Sequence, residues 1–423
     1  MPTSYRPYFP DQGLLLPSSL SEWLPEDHLA YFISDAVDAM DLQAFHARYE
    51  GDGRRRQPFD PRMMVKVMIY GYASGVFSSR KMARKLHEDV AFRLLCANNY
   101  PAHRTIREFR QLHLQEFSAL FVQVVTLARE AGLVKLGRLG IDGTKIKANA
   151  SKHKAMSYDR MRETEKRLKH EVREWFRQAK SADEAEDRQH GGARRGDEMP
   201  EWVADKQQRI AKIREAREAL EAEARAAGQT APEPKAQRNF TDPESRIMRK
   251  SGKEYVQGYN AQAAVDSEAQ VIVAQSLSNS ATDVQQLAPT LKQIKQNTGR
   301  QAQEFSADAG YCSEGNLAVL ARHHVDSYIA TGRQRHHEAS AAGRRRVSQG
   351  TRVAAMRTKL ARAGRRSRYR LRKSVVEPVF GQIKQARGFR QFMLRGIQKA
   401  QGEWSLICTV HNLLKLAKAM KKP

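Results

Sequence analysis

Cysteine is scarce in this 423-residue chain: Cys96, Cys312 and Cys408 stand far apart and in no paired spacing. That excludes a disulfide framework and leaves a zinc site without its usual ligand pairs, so the three read as reduced, buried thiols. Long apolar runs are missing too. No stretch approaches the ~20 residues needed to cross a bilayer, and the opening MPTSYRPYFPDQG lacks the apolar core of a signal peptide. No basic amphipathic helix flanks a lipid-facing stretch, so no membrane partner is expected and the expected compartment is the cytoplasm. Acid is short in one region. Between Ala339 and Gly402 a single carboxylate, Glu377, stands among eighteen Lys and Arg, although the whole chain holds 47 acids in 423 residues.

What is abundant is positive charge. The net charge of +26 and pI near 10.1 point to nucleic acid as the partner, through a field that supplies affinity but not sequence choice. The charge is uneven: from Arg333 to Lys373 fifteen basic residues face one acid, Glu338. In a tract built to hold polyanions, the lone Glu377 has two readings. It could be kept acidic to hold a metal, or it could close a capping box with Ser374, whose Ser-x-x-Glu spacing fits. Pro378 argues against a neat box, because it lacks the N–H of an early helical position.

The length predicts two or three domains. The first region predicts short helices: apolar periodicity around Leu29–Met40, an Asp60-Pro61 cap-and-first-turn signal, a stop at Gly75 and a restart at Ser78-Ser79. Met82, Leu86, Val90, Phe92 and Leu95 would face inward, and a long helix would end near Gly132. This region reads equally as a helix-turn-helix binder or as a plain bundle with solvated charges. In the first case Arg80, Lys81, Arg84, Arg104, Thr105 and Arg107 would meet DNA. Beyond Leu136, alternation predicts a short strand pair. Tyr158–Ala227 predicts two charged helices with narrow apolar seams around a Gly191-Gly192 break, an arm that could clamp DNA, pair protomers or merely space the core. Strands are predicted at Tyr255–Val265, Val271–Ser276, Glu304–Ala307 and Ser327–Ala330, a helix at Asp283–Thr298, and an amphipathic final helix from Trp404 to Met420. The predicted class is α/β: a mixed core interrupted by a helical hairpin and preceded by an all-helical domain. The expected boundaries are 1–132, 133–157, 158–235, 236–400 and 401–423.

Phosphoryl transfer on DNA needs divalent cations more than covalent chemistry, and Mg²⁺ prefers a few carboxylates. Asp142 follows Leu139-Gly140-Ile141 on an alternating strand, with Gly143 to allow close approach and Lys145 beside it. Asp308 stands at the exit of an apolar strand, where α/β sheets bind ligands. A lone Asp in the position of Asp142 is more often a turn residue, and Asp308 could instead serve a turn or cap the next helix. Asp266 is the rival for the second position, and Asp283 is expected to cap the helix that follows it. On the third acid's helix, Glu377, Gly381 and Lys384 would share a face, with Gly381 leaving room for the strand.

In the order Asp142, Asp308, Glu377 the chain resembles the DDE insertion-sequence transposases of bacteria. The matching segments are Gly-Ile-Asp142-Gly-Thr-Lys, Ala-Asp308-Ala-Gly-Tyr, Val-Glu377-Pro-Val-Phe-Gly-Gln-Ile-Lys384 and Phe389-Arg-Gln-Phe-Met-Leu-Arg-Gly396. Residues 60–110 resemble the InsH-type N-terminal domain of the same family, through Gly-Val-Phe-Ser-Ser-Arg80 and His103-Arg-Thr-Ile-Arg-Glu-Phe-Arg110. The resemblance implies an RNase H-like core and a metal held by the three acids: Mg²⁺, with Mn²⁺ as a substitute. It implies cutting and joining at terminal inverted repeats, and a homodimer or larger synaptic complex on double-stranded DNA in a bacterial, nucleoid-associated setting. One departure stands out. The family's Tyr, Arg, Glu, Lys signature is kept by Tyr369, Arg372, Glu377 and Lys384, except that four residues separate Arg372 from Glu377 where three are usual. Lys373 has the usual three, so the phosphate contact falls to either. A nuclease that does not join strands, or a non-catalytic DNA-binding regulator, are the alternatives.

Overall fold

A computed structural model describes residues 19–50, 57–190, 201–250, 254–332, 341–343, 348–364 and 368–420. The turn-rich start, the Gly191-Gly192 break and much of the basic tract after Arg333 lie outside the described residues. The chain divides into two compact units, Met1–Glu116 with Leu413–Pro423, and Phe117–Asn412. No described helix is long and apolar enough to cross a membrane.

The first unit holds α1 (Leu29–Asp38), α2 (Gln43–Ala47), α3 (Pro61–Ala73), α4 (Ser79–Glu88), α5 (Val90–Leu95) and α6 (His103–Leu112), with α7 (Leu114–Glu130) beginning in it. Asp60 caps α3 as its sequence predicts, accepting from the Arg62 amide at 2.7 Å, and Pro61 opens the first turn. Met82, Leu86, Phe92 and Leu95 are buried, whereas Val90 is only partly so. Within the His103–Arg110 segment, Arg110 is not a surface cation. It is buried, and its Nη1 donates to the Tyr72 hydroxyl and the Phe77 carbonyl, both at 2.9 Å. That locks α6 to the turn before α4.

The second unit is a sheet with helices. Its elements are β1 (Arg138–Lys147), β2 (Ala155–Ser157), α8 (Tyr158–His190), α9 (Glu201–Ala226), β3 (Gln237–Asn239), β4 (Arg246–Arg249), β5 (Tyr255–Asp266), β6 (Ile272–Ser278), α10 (Leu287–Thr298), β7 (Glu304–Ala307), α11 (Glu314–Arg322), β8 (Asp326–Ile329), α12 (Arg352–Ala363), α13 (Arg372–Val375), α14 (Glu377–Gly381) and α15 (Ile397–Met420). The strand order is β4-β5-β1-β7-β8, with β6 also on β5. β5 pairs antiparallel with β1 along one edge; its other edge is shared by β6 and, nearer its start, β4. β1, β7 and β8 are mutually parallel.

Two expectations need correction. The predicted strand pair after Leu136 is one strand, β1, because β5 offers it a nine-residue antiparallel partner from Gly258 to Asp266. The last helix starts at Ile397 and is buried over most of its length rather than amphipathic. Its polar residues point inward for a reason. Asn412 accepts from the Ile272 amide and donates to the Ile272 carbonyl, each at 2.8 Å, and Gln401 accepts from the Leu277 amide at 2.5 Å. Gln293 of α10 takes the Gln275 amide at 2.9 Å. Side chains thus satisfy the outer backbone of β6, which a bare edge strand would leave open to other chains.

α8 and α9 pair through a seam of Met161, Leu168, Val172, Val203, Ile210, Ile213 and Leu220. Lys206 with Glu171, Arg214 with Glu165 and Tyr158 with Glu221 run in opposite sequence order, so the helices are antiparallel. At their base β2 pairs with β3.

Gly258 marks the tightest point between β5 and β1: a Cβ there would lie 2.3 Å from the Ile146 carbonyl oxygen, which is backbone and cannot turn aside. Gly258→Ala is expected to lower stability by about 1–3 kcal/mol, the usual cost of overpacking. Gly137→Ala, with nothing within 4 Å, serves as the neutral control in the same urea titration.

Candidate active site

Three pieces of backbone converge at β1. The parallel register sets Arg138 opposite Glu304, Leu139 opposite Phe305 and Gly140 opposite Ser306. Carried two residues further, that register brings Asp142 level with Asp308, the residue just after β7. Asp142 is therefore in mid-strand, not at a strand end. The third piece is the break between α13 and α14, and it sits on Gly140. A Cβ on Gly140 would lie 2.4 Å from the Val376 Cγ2, so only glycine admits this approach.

The break itself follows from Pro378. Without an N–H it cannot carry the helix through, and α14 restarts at Glu377 with Val376 as its N-cap and no side-chain cap bond. The capping-box reading of Ser374 is thereby corrected, since Ser374 lies inside α13. Beyond α14 the chain winds as a π-helical turn over Gln382–Ala386. Lys384 lies in that turn, half-buried, and donates from Nζ to the Thr144 hydroxyl of β1. A Cβ on Gly381 would meet nothing within 4 Å, so the space beside it is open.

Arg372 ties the pieces together. It is buried; Nη1 donates to Asp142 Oδ2 at 2.8 Å and Nη2 to Glu377 Oε1 at 3.4 Å. The Tyr369 ring lies 5.9 Å from its guanidinium carbon. Of the two candidates for the basic position, Arg372 is inside the site, while Lys373 is exposed. The other oxygen of Asp142, Oδ1, accepts from the Gly143 amide at 2.9 Å, and Asp308 Oδ1 accepts from the Gly310 amide at 2.8 Å.

Burial pushes the Asp142 carboxyl up to about 6 from an ordinary 3.8; Arg372 pulls it down and Asp308 pushes it further up. Burial also raises Asp308, against the pull of the Gly310 amide and Arg372. For Arg372 burial disfavours the charge, but Asp142, Tyr369 and Asp308 outweigh it and hold the guanidinium charged. Burial lowers the Lys384 ammonium, with Lys250 adding to the effect and Asp142 opposing it.

Asp283 is the residue that sequence reasoning misplaced. It makes no side-chain cap. Its Oδ1 instead accepts from Asn260 Nδ2 at 2.5 Å and Gln262 Nε2 at 2.8 Å, and lies 3.6 Å from Lys145 Nζ. Tyr311 donates its hydroxyl to Gln262. Gly143 makes the space, since a Cβ there would lie 2.4–2.8 Å from Gln262, Asp283 and Asn260. The available signal was Asn260 and Gln262, two amides at strand spacing in the largely apolar run of β5. Asp266, the rival acid, is elsewhere: it accepts from the Leu136 amide at 2.7 Å and the Glu268 amide at 2.9 Å, and so closes the β5–β6 turn. Arg80, Lys81, Arg84, Arg104 and Arg107 lie exposed on α4 and α6, with Thr105 partly covered. Arg84 pairs with Glu88 at 3.3 Å and Arg107 with Glu108 at 3.5 Å.

The donors suit a hard dication, being carboxylate oxygens with Asp308 Oδ2 left without a donor among the described residues. Among the described residues, however, no three acidic, histidine or cysteine side chains form a closed metal cluster. The positive charge between Asp142 and Glu377 is supplied by Arg372. The oxygen donors are of the kind a dication takes, but as described that guanidinium bridges two of the three acids.

Residues 18–112 match the Transposase domain (DUF772), and residues 227–413 match the Transposase DDE domain. The chain belongs with the DDE insertion-sequence transposases. The second match spans Asp308, Glu377 and Lys384 and begins after β1, which carries Asp142. No curated protein and no solved structure matches the chain. The family indicates a DNA transposase.

Because its folded value lies above the ordinary one, Asp142 binds its proton more tightly in the folded chain. At neutral pH its ionisation costs on the order of 3 kcal/mol, relieved as pH falls through about 6. Arg372→Gln removes a group that lowers this value. Carboxyl NMR should then place Asp142 above 6, and the variant should lose more stability at pH 8 than at pH 5.

Proposed function

We propose that this chain cuts and rejoins double-stranded DNA at the terminal inverted repeats of an insertion sequence, with a divalent cation held by Asp142, Asp308 and Glu377. The observation that carries the reading is the Arg372 bridge, which joins Asp142 at 2.8 Å to Glu377 at 3.4 Å beside Asp308. An internal cation at the meeting point of these acids marks where positive charge is wanted. The strand order, with antiparallel β6, β5 and β1 followed by parallel β7 and β8, is in keeping with an RNase H-like core into which α8 and α9 are inserted as a hairpin.

Mg²⁺ is the ion this reading names, with Mn²⁺ as a substitute; bound, it would activate the attacking oxygen and stabilise the leaving one. The chain's own residues do the positioning. Arg372, freed from the carboxylates, presents a planar fork to a phosphate oxygen, a task that suits guanidinium better than ammonium. Tyr369 limits its swing. Lys384 and Lys145 flank Asp142 and hold the strand on either side, while Lys373 adds charge at the rim. Asn260 and Gln262 hold Asp283 in place next to Lys145, and so keep that lysine aimed at the site. The exposed cations of α4 and α6, with Thr105, recognise the element's ends. Two ends must be held at once, so the working form is a homodimer or larger synaptic complex.

Asp142→Asn, Asp308→Asn and Glu377→Gln should each lower cleavage of end-containing DNA by more than about a hundredfold, above the cost of losing a mere outer partner of a metal ligand. DNA binding should persist in all three. A chelator should stop cleavage and added Mg²⁺ restore it. Unchanged cleavage by Asp142→Asn would sink the proposal. Joining of a supplied 3′-hydroxyl end to plasmid DNA separates a transposase from a nuclease with the same acids.

A further inference from the structure

A cleft of about 610 Å³ opens at the foot of the α8–α9 pair, away from the three acids. One wall is the Lys152–Lys154 turn with β2; the other is a face of α9. Its charged lining consists of His153, Lys154, Arg160, Arg209 and Lys212 against a single carboxylate, Asp205. The four Lys and Arg are exposed, and none has an ion-pair partner among the described residues.

The contrast with the rest of the helix pair is informative. Many of the cations elsewhere on it are tied, although Lys166, Arg173 and Arg225 also have no ion pair among the described residues. Arg167 meets Glu171 at 2.7 Å, Lys206 meets Glu171 at 2.6 Å, Arg214 and Arg217 both hold Glu165, and Arg238 meets Glu223 at 2.6 Å. In the cleft even Asp205, one turn before Arg209, forms no ion pair among the described residues. Arg209 and Lys212 are three residues apart on one helix face, a like-charge spacing that slightly destabilises a helix. Such charges contribute nothing to the fold and repel one another. Gathered on both walls of one cleft, they suit something negative that enters from outside.

The cleft is also held in shape. Asn239 donates to the Ser151 carbonyl at 2.8 Å, the Phe240 amide to the Lys154 carbonyl at 3.0 Å, and the Tyr158 amide to the Ala236 carbonyl at 2.8 Å. The turn bearing Lys154 is thereby fixed to β3, and Arg160 follows in the first turn of α8. A groove with cations on both walls and a backbone-pinned floor is fitted to a run of phosphates, not to a point charge.

We propose that this cleft is a second DNA-contact site, which grips the phosphodiester backbone of duplex DNA outside the catalytic centre through Lys154, Arg160, Arg209 and Lys212. It rests on the reading of the chain as acting on DNA. Its contacts are to phosphate, so it adds affinity and registers the duplex without reading sequence.

The test uses the full chain and a fluorescent DNA duplex, with anisotropy followed from 50 to 200 mM salt. Lys154→Ala, Arg209→Ala and Lys212→Ala combined should bind roughly tenfold more weakly at about 0.1 M salt, with a log–log salt slope shallower by about two to three. Arg167→Ala, Arg177→Ala and Arg214→Ala remove the same charge from the ion-paired face and should change the slope by less than about one. The exchange variant Lys154→Arg, Arg209→Lys, Lys212→Arg should bind like the parent, which excludes a folding defect as the cause. Equal losses from both alanine triples, or no loss from the first, would overturn the cleft while leaving the transposase reading intact. A parent chain that binds no duplex at any salt would overturn both.

Discussion

A buried guanidinium between two carboxylates, drawn from chain segments 230 residues apart, is the interaction around which the second unit is organised. Taking Arg372 and Asp142 out of water is costly, and the pair is tolerated only because each partner satisfies the other. Its existence demands that α13 reach β1, which Gly140 permits, and that the helix stop and restart at Glu377, which Pro378 imposes. Asp308 joins through the parallel register of β7. Remove any of these backbone conditions and the carboxylates are left as separate surface acids.

The same pair explains why a strongly basic region keeps one acid. Glu377 takes the second arm of Arg372 although it is itself about half exposed, at 49 %. Around it positive charge is sorted into kinds. Some cations are structural: Arg110 is spent inside the first unit on Tyr72 and Phe77, and the outer faces of α8 and α9 are laced with ion pairs. Others, in the cleft at the base of α9, are left without partners. Net charge alone makes all of them equivalent; only their partners tell them apart.

Much of the site was legible beforehand. Asp142, Asp308 and Glu377 could be singled out because each carries a local signature: an acid flanked by glycine on a strand, an acid at the exit of an apolar strand, and an acid isolated in a basic tract. The predicted strands at β5, β6, β7 and β8 hold within a residue or two, since alternation and turn residues are local signals. What failed was whatever depended on a distant neighbour. The stretch after Leu136 resembled two short strands until β5 supplied a long partner. The last helix read as amphipathic until its polar residues proved to be bonded to the edge of β6. Asp283 read as a cap because nothing nearby in sequence discloses Asn260 and Gln262.

The sequence by itself determined the class of element at most positions and the basic field, and it singled out the three acids as candidates. Those are consequences of periodicity, turn chemistry and composition, which act over a few residues. Only the tertiary structure put Arg372 rather than Lys373 between Asp142 and Glu377, set Asp266 in the β5–β6 turn and brought Asp283 to Lys145. Each of those outcomes turns on which side chains a buried charge meets across strands, and a charge taken out of water is answerable to every group within a few ångströms, whatever its place in the chain.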